Sequence, residues 1–256
     1  MLGTIWITFA VVLGGIHLLI TASVHYAMRF AAHCHPLKLQ LDELPEEVAI
    51  LFRPRVPELA SLGFECTGFY DCGSLTNETH SYLAHFCNPT TNDTASVTAL
   101  TTPATCASYL EFSTNFENGT VLDTNTNAAL PLTPSNPEHR VFRFPKLHTA
   151  KNLYRIHREL IEKYAAGTWP QAEAHDQGIE GYVRMIENYG PRHERIGYMK
   201  LAEDGESYQF TWKGAFSMTW HAFWPNAILR KLRQRHMMRS ELQSLEIRGV
   251  AALQKA

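Results

Sequence analysis

Hydrophobic and polar positions fall along this chain in three textures. The first is a run from Leu2 to Met28 without a single Asp, Glu, Lys or Arg, closed by Arg29. About 20 mostly apolar residues at roughly 1.5 Å rise each span a hydrocarbon core, so residues 1–28 are expected to form a transmembrane anchor. Trp6 and Tyr26 stand near its two ends, where amphipathic rings favour the headgroup region. A cleaved signal peptide is the competing reading, but it needs a basic n-region, and no Lys or Arg precedes Arg29. Ala10, Gly14, His17, Thr21 and His25 form a less oily helical stripe. Small and polar residues in a span usually face protein, so Gly14, His17 and Thr21 are expected to meet a partner helix.

Residues 29–63 read as a juxtamembrane connector with short helices. Pro45, Glu46 and Glu47 start one, because proline and carboxylates both suit a first turn, and Pro54 stops it. Pro57 opens another short turn, Glu58 to Leu62, which Gly63 can cap.

The second texture occupies residues 64–213, an α+β domain. Strands are expected at Phe64–Tyr70, Tyr82–Phe86, Ala95–Leu100, Tyr109–Phe116 and Val121–Asn125. The fourth alternates most clearly, with Leu110, Phe112, Thr114 and Phe116 on one side and Tyr109, Glu111, Ser113 and Asn115 on the other. Asn118-Gly119 then tolerates the positive φ of a hairpin turn. An antiparallel β-meander is the simplest topology. Leu153, Ile156, Leu160 and Tyr164 recur at helical spacing and predict a helix over Leu147–Ala166 packed on one face of the sheet. A second helix, Pro170–Tyr189, should stop at Gly190-Pro191, and a hairpin should turn at Asp204-Gly205 within Ile196–Lys213.

The third texture, residues 214–256, joins an aromatic block to a basic helix. Phe216, Trp220, Phe223 and Trp224 precede Arg230, Lys231, Arg233, Arg235 and Arg239, a pattern suited to lying in a membrane interface. Trp6, Tyr26, Arg29, Trp220, Trp224, Arg230, Lys231, Arg233 and Arg235 are therefore the expected membrane-interface residues. Arg29 and Lys38, just past the first run, favour a bitopic, single-pass protein with the bulk of the chain cytoplasmic.

Composition narrows the functional classes. Of 256 residues, 45% are hydrophobic and 19% charged, which suits a packed core rather than disorder. A net charge of -2 argues against a nucleic-acid binder, which usually carries a basic excess. The five cysteines, Cys34, Cys66, Cys72, Cys87 and Cys106, contain no CxxC pair. The last four could make two disulfides in an oxidising compartment, with three pairings open. Glycosylation sequons at Asn77, Asn92 and Asn118 would suit that alternative, whereas a cytoplasmic location favours free thiols.

Catalytic signatures are absent: HExxH, GxSxG, a P-loop and GxGxxG after a strand are all missing. His148, His157 and His175, near Glu159 and Asp176, are the acid–base candidates. His33-Cys34-His35 is the tightest potential metal cluster, although adjacent residues rarely converge on one ion. Cys66, Cys72, Cys87, His80 and His85 could converge on a metal if the first two strands pair. Buried thiols behaving as small hydrophobes are the plainer expectation, and no cofactor is predicted. The sequence thus favours a membrane-tethered, non-catalytic binding or accessory module. Its expected partners are membrane lipids, another transmembrane helix or a protein complex at the inner leaflet. A metal-assisted hydrolase using the helical histidines and an exported disulfide-linked domain are the alternatives.

Overall fold

Alternation and helical periodicity become a single large sheet wrapped by helices in a computed structural model that describes residues 2–129, 131, 134, 136, 138–165, 167–171 and 179–244. In chain order the elements are α1 (Leu2–Ala27), β1 (Arg29–Ala31), β2 (Leu37–Leu39), α2 (Glu46–Phe52), α3 (Arg55–Ala60), β3 (Glu65–Thr76), β4 (Thr79–Asn88), β5 (Asp93–Thr101), β6 (Cys106–Asn115) and β7 (Val121–Asn125). There follow β8 (His139–Arg143), α4 (Ala150–Tyr164), α5 (Glu180–Arg195), β9 (Met199–Leu201), β10 (Ser207–Phe210), α6 (Trp212–Ala222) and α7 (Asn226–Ser244). The sheet order is β8-β7-β6-β5-β4-β3-β1-β10-β9, with β2 also paired to β3. Strands β3 to β7 form the expected antiparallel meander, and β8 joins β7 in parallel.

Period-two side chains divide the sheet into two faces. Phe86, Val97, Leu110, Phe112 and Leu122 meet Phe52 of α2, Leu59 of α3 and Leu153, Ile156 and Leu160 of α4 in the main core. Each fully buried aliphatic side chain there contributes about 1.5–3 kcal/mol. On the opposite face, Ile179, Tyr182, Val183 and Ile186 pack on Tyr70, Cys72 and Leu83. Helices therefore cover both faces rather than one. A third cluster joins Val24 and Met28 to Met199, Tyr208, Phe210, Ala215 and Met218.

The N-terminal transmembrane helix, with the single-pass, bitopic and membrane placement derived from it, is the part of the sequence reading that the structure corrects. Leu2–Ala27 is helical, but among the described residues no helix is long and apolar enough to cross a membrane. The polar residues that dilute the run serve contacts within the chain. Thr21 Oγ1 lies 2.8 Å from Thr219 Oγ1 on α6, and His25 Nδ1 lies 2.7 Å from the Phe210 carbonyl oxygen. The last turns of α1 are thus occupied by α6 and β10.

Helix α5 also departs from expectation, beginning at Glu180 and running through Pro191 to Arg195. Proline removes one helical hydrogen bond, but here it lies in the last turns, which tertiary packing holds. Gly190 is pressed against the Tyr208 ring, and buried His193 places Nδ1 2.7 Å from the Tyr189 carbonyl oxygen.

Candidate functional site

The face of β5–β8 that points away from α4 is polar. Register sets Ser96, Glu111, Asn125 and Arg143 side by side across β5, β6, β7 and β8. In the adjacent rows Ser113 pairs with Asp123, and Thr98 pairs with Tyr109. Ahead of β8, the carbonyls of Pro131 and Pro134 are held by α7 and α5. Arg192 donates to the Pro134 carbonyl at 3.2 Å, and Arg230 donates to the Pro131 carbonyl. The parallel register then carries His139 and Arg143 onto the same face as Asp123 and Asn125.

Within this group the Asn125 amide donates to Glu111 Oε2 at 2.7 Å. His139 Nε2 bonds Asp123 Oδ2 as an ion pair. Asp123 is 4% exposed and Asn125 3%, so both form the floor of the cluster. Tyr109, Glu111, His139 and Arg143 are half-buried and stand above it. Three atoms of the group remain buried without a hydrogen-bond partner, Thr98 Oγ1, Asp123 Oδ1 and Arg143 Nε. Such groups each cost about 1–3 kcal/mol when left unpaired.

These charges perturb one another in low dielectric. Burial, and then the Asp123 carboxylate, push Glu111 up to about 8, against the lowering effect of the Asn125 bond and the two cations. Glu111 is therefore largely a neutral acid at pH 7, able to donate a proton or a hydrogen bond. Burial alone would lower His139, but its bond to Asp123 and the Asp123 and Glu111 charges hold it above its usual value. Burial lowers Arg143, opposed by the same two carboxylates, and burial raises the Tyr109 phenol. The cluster thus combines a neutral acid, an imidazole–carboxylate pair and a guanidinium on one sheet face.

The histidines named from sequence do not assemble. His157 is fully buried on the other sheet face, with Nε2 3.0 Å from Thr114 Oγ1 and Nδ1 3.0 Å from Thr124 Oγ1. Burial lowers it to about 4, leaving it neutral. Thr114 also donates to Asp93 at 2.6 Å, and Asp93 accepts from Tyr154 and Arg158, both at 2.9 Å. That network anchors α4 to the sheet and has no access to solvent at its imidazole. His148 is exposed, and His175 lies outside the described residues.

Among the described residues no three His, Cys, Asp or Glu side chains are placed to hold a metal ion. Cys66 is exposed, Cys72 and Cys87 are buried, and none of the five cysteines is joined in a disulfide. His85 is buried beside Thr67 Oγ1 at 2.8 Å and is lowered by burial to about 4. His80 instead bonds Asp71 at 2.6 Å.

On α1, His17 lies against Phe216, Trp220 and Phe223 of the α6 region, and Thr21 meets Thr219. A Cβ added at Gly14 would meet no atom within 4 Å, so among the described residues no partner helix packs closely on that position. Of the expected interface residues, Tyr26 packs edge-on against Trp212 and Arg29 opens β1. Trp220 and Trp224 are 48% and 60% exposed. Lys231, Arg233 and Arg235 are exposed on α7, whereas Arg230 turns inward to the Pro131 carbonyl. The Trp6 side chain lies outside the described residues.

Sequence alternation puts Glu111 on the face of β6 opposite Leu110 and Phe112 but does not mark it as a functional residue. It passed over Asp123, His139 and Arg143. The available signal was Asp123 inside a strand-forming segment, where an acidic residue is disfavoured without a partner.

No family model, no curated protein and no solved structure matches this chain. Fold and site together define it as an α+β protein with a titratable polar cluster on one face of a mostly antiparallel sheet.

Proposed function

We propose that the chain is a binding protein for a small hydroxy-carboxylate, held on the polar sheet face by Arg143, Asp123 and the neutral Glu111 carboxyl. The observation that carries this reading is the pair of buried, unpartnered atoms of opposite role, an acceptor at Asp123 Oδ1 and a donor at Arg143 Nε. A ligand hydroxyl would satisfy the first and a ligand carboxylate oxygen the second. Glu111, neutral below about pH 8, keeps a further negative charge away from such a ligand.

Calorimetric and NMR titration of the full chain with glycolate, lactate and malate tests this. Binding is expected at pH 6, with shifts confined to β6–β8 and weakening as pH rises through 8. Arg143→Ala should weaken it at least about tenfold, the loss of one charge-assisted contact, and Glu111→Gln should flatten the pH dependence. Silence in β6–β8 across the whole panel would overturn the proposal.

A second reading, an accessory module that holds a partner protein, is favoured by the outward side of the α1–α6 layer. Val11 and Leu19 of α1 are 69% and 73% exposed and Trp220 of α6 is 48% exposed, and large apolar side chains left exposed in a group mark interaction sites. With no charge between Leu2 and Met28, the partner it fits is an uncharged apolar helix that extends the α1–α6 packing. Leu19→Asp should release such a partner in a pull-down while leaving the melting temperature unchanged, and retention of the partner would refute this reading.

A further inference from the structure

Cys34 lies in the short connection between β1 and β2, and Cys72 lies within β3. Each is 4% exposed, and both belong to the cluster built on Tyr70 and Leu83. The Cys34 thiol donates to the Cys72 carbonyl oxygen at 3.8 Å, and the proximity of the two thiols lowers Cys34 and raises Cys72. The segment carrying Cys34 is the more easily opened partner, since it connects two strands of three residues each, β1 on β10 and β2 on β3, whereas Cys72 sits inside the 12-residue β3, and elements with few backbone bonds open locally first.

We infer that Cys34 and Cys72 are a disulfide-forming pair, a site of reversible oxidation by low-molecular-weight disulfides that ties the segment following α1 to the centre of the sheet. The chemistry is thiol–disulfide exchange. Cys34, as its thiolate, attacks one sulfur of oxidised glutathione, forming a mixed disulfide and expelling one glutathione thiolate, which takes the Cys34 proton. Cys72, losing its own proton to the second departing thiolate, then attacks the Cys34 sulfur. The two protein sulfurs lose two electrons in all, and one oxidised glutathione becomes two reduced ones. This pair differs from the two-disulfide arrangement among Cys66, Cys72, Cys87 and Cys106 that the sequence left open, because it uses the cysteine outside that set.

The test is to equilibrate the full chain with oxidised glutathione, alkylate it in denaturant and map the peptides without reduction. A single peptide pair joined through Cys34 and Cys72 is expected, lighter by two hydrogens than the sum of its parts. The melting temperature should rise by roughly 5–10 °C, the scale for closing a loop of this length, and fall back on reduction. Cys34→Ser and Cys72→Ser should each abolish the link, whereas Cys66→Ser and Cys106→Ser should retain it. Alkylation of both Cys34 and Cys72 in the equilibrated wild-type chain, a stable glutathione adduct on Cys34 alone, or a link to a different cysteine would overturn the inference.

Discussion

Asp123 and His139 meet across the β7–β8 pair, although their backbones are two residues out of register, with Val121 opposite His139 and Asp123 opposite Val141. The imidazole reaches along the strand to a carboxylate that is 4% exposed. An isolated buried carboxylate is costly, so the ion pair and the position of β8 depend on each other. This pair is the joint between the fold and the polar cluster.

The first expectation concerns that joint. Asp123→Asn removes the bond and the charge that hold His139 above its usual value while leaving its burial in place. The imidazole should then titrate below its ordinary range. NMR titration of its ring protons checks this, and an unmoved midpoint would show that Asp123 does not control it.

Much of the frame was legible because alternation survives wherever one sheet face is buried against helices. Leu110, Phe112 and Thr114 on β6 read correctly for that reason. Strand β8 was not legible, since only Val141 and Phe142 of its five residues are apolar and they point to opposite faces. Its partner β7 lies a connection of 13 residues earlier, so nothing local sets their register. The site suffered from the same separation: Glu111 gains its perturbation from Asp123, His139 and Arg143, which share a surface with it only after β7 and β8 pair. The run from Leu2 to Met28 misled in the other direction, because hydropathy does not reveal that Thr21 and His25 are used against α6 and β10.

Stability should depend on pH with two opposed limbs. His85 and His157 are both lowered to about 4. Their contribution is full above the unfolded value near 6.5 and is lost as pH falls toward 4, by up to about 3 kcal/mol for a fully buried imidazole. Glu111 has the reverse sign: raised to about 8, its contribution is full below the unfolded value near 4.5 and is lost as pH rises through 8. Maximum stability is therefore expected near pH 6. Urea unfolding at pH 4.5, 6 and 9 tests the shape. Glu111→Gln should exceed wild type at pH 9 and match it at pH 4.5.

Asp93 is fully buried and accepts from Thr114, Tyr154 and Arg158. Asp93→Ala would leave the Thr114 and Tyr154 hydroxyls without their acceptor, at about 1–3 kcal/mol for each that stays buried. Arg158, whose side chain is 35% exposed, can return to water on loss of its partner. A double-mutant cycle should therefore give a coupling energy well below the Asp93→Ala loss. Equal values would mean that the ion pair, rather than the hydroxyl bonds, fastens α4 to the sheet.

Gly214 decides whether the α1–α6 layer stays docked. It lies in the first turn of α6, where Thr211 accepts its backbone N–H at 3.1 Å as the cap. A Cβ added there would stand 2.0 Å from the Tyr198 carbonyl oxygen, a backbone atom at the start of the β9–β10 hairpin that cannot rotate aside. The first turn of α6 would have to lift, and with it the Thr219 hydroxyl that meets Thr21 on α1. Overpacking typically costs about 1–3 kcal/mol, and more where backbone is the obstacle. By contrast, Gly119→Ala finds open space but a φ of +79°, so it should cost only about 1 kcal/mol through backbone strain. Hydrogen exchange distinguishes the two effects: Gly214→Ala should lose protection in α1 and α6 while β4–β6 remain protected, and Gly119→Ala should lower stability with no selective loss in α1. Uniform loss in both variants would show that the helical layer and the sheet unfold as one unit.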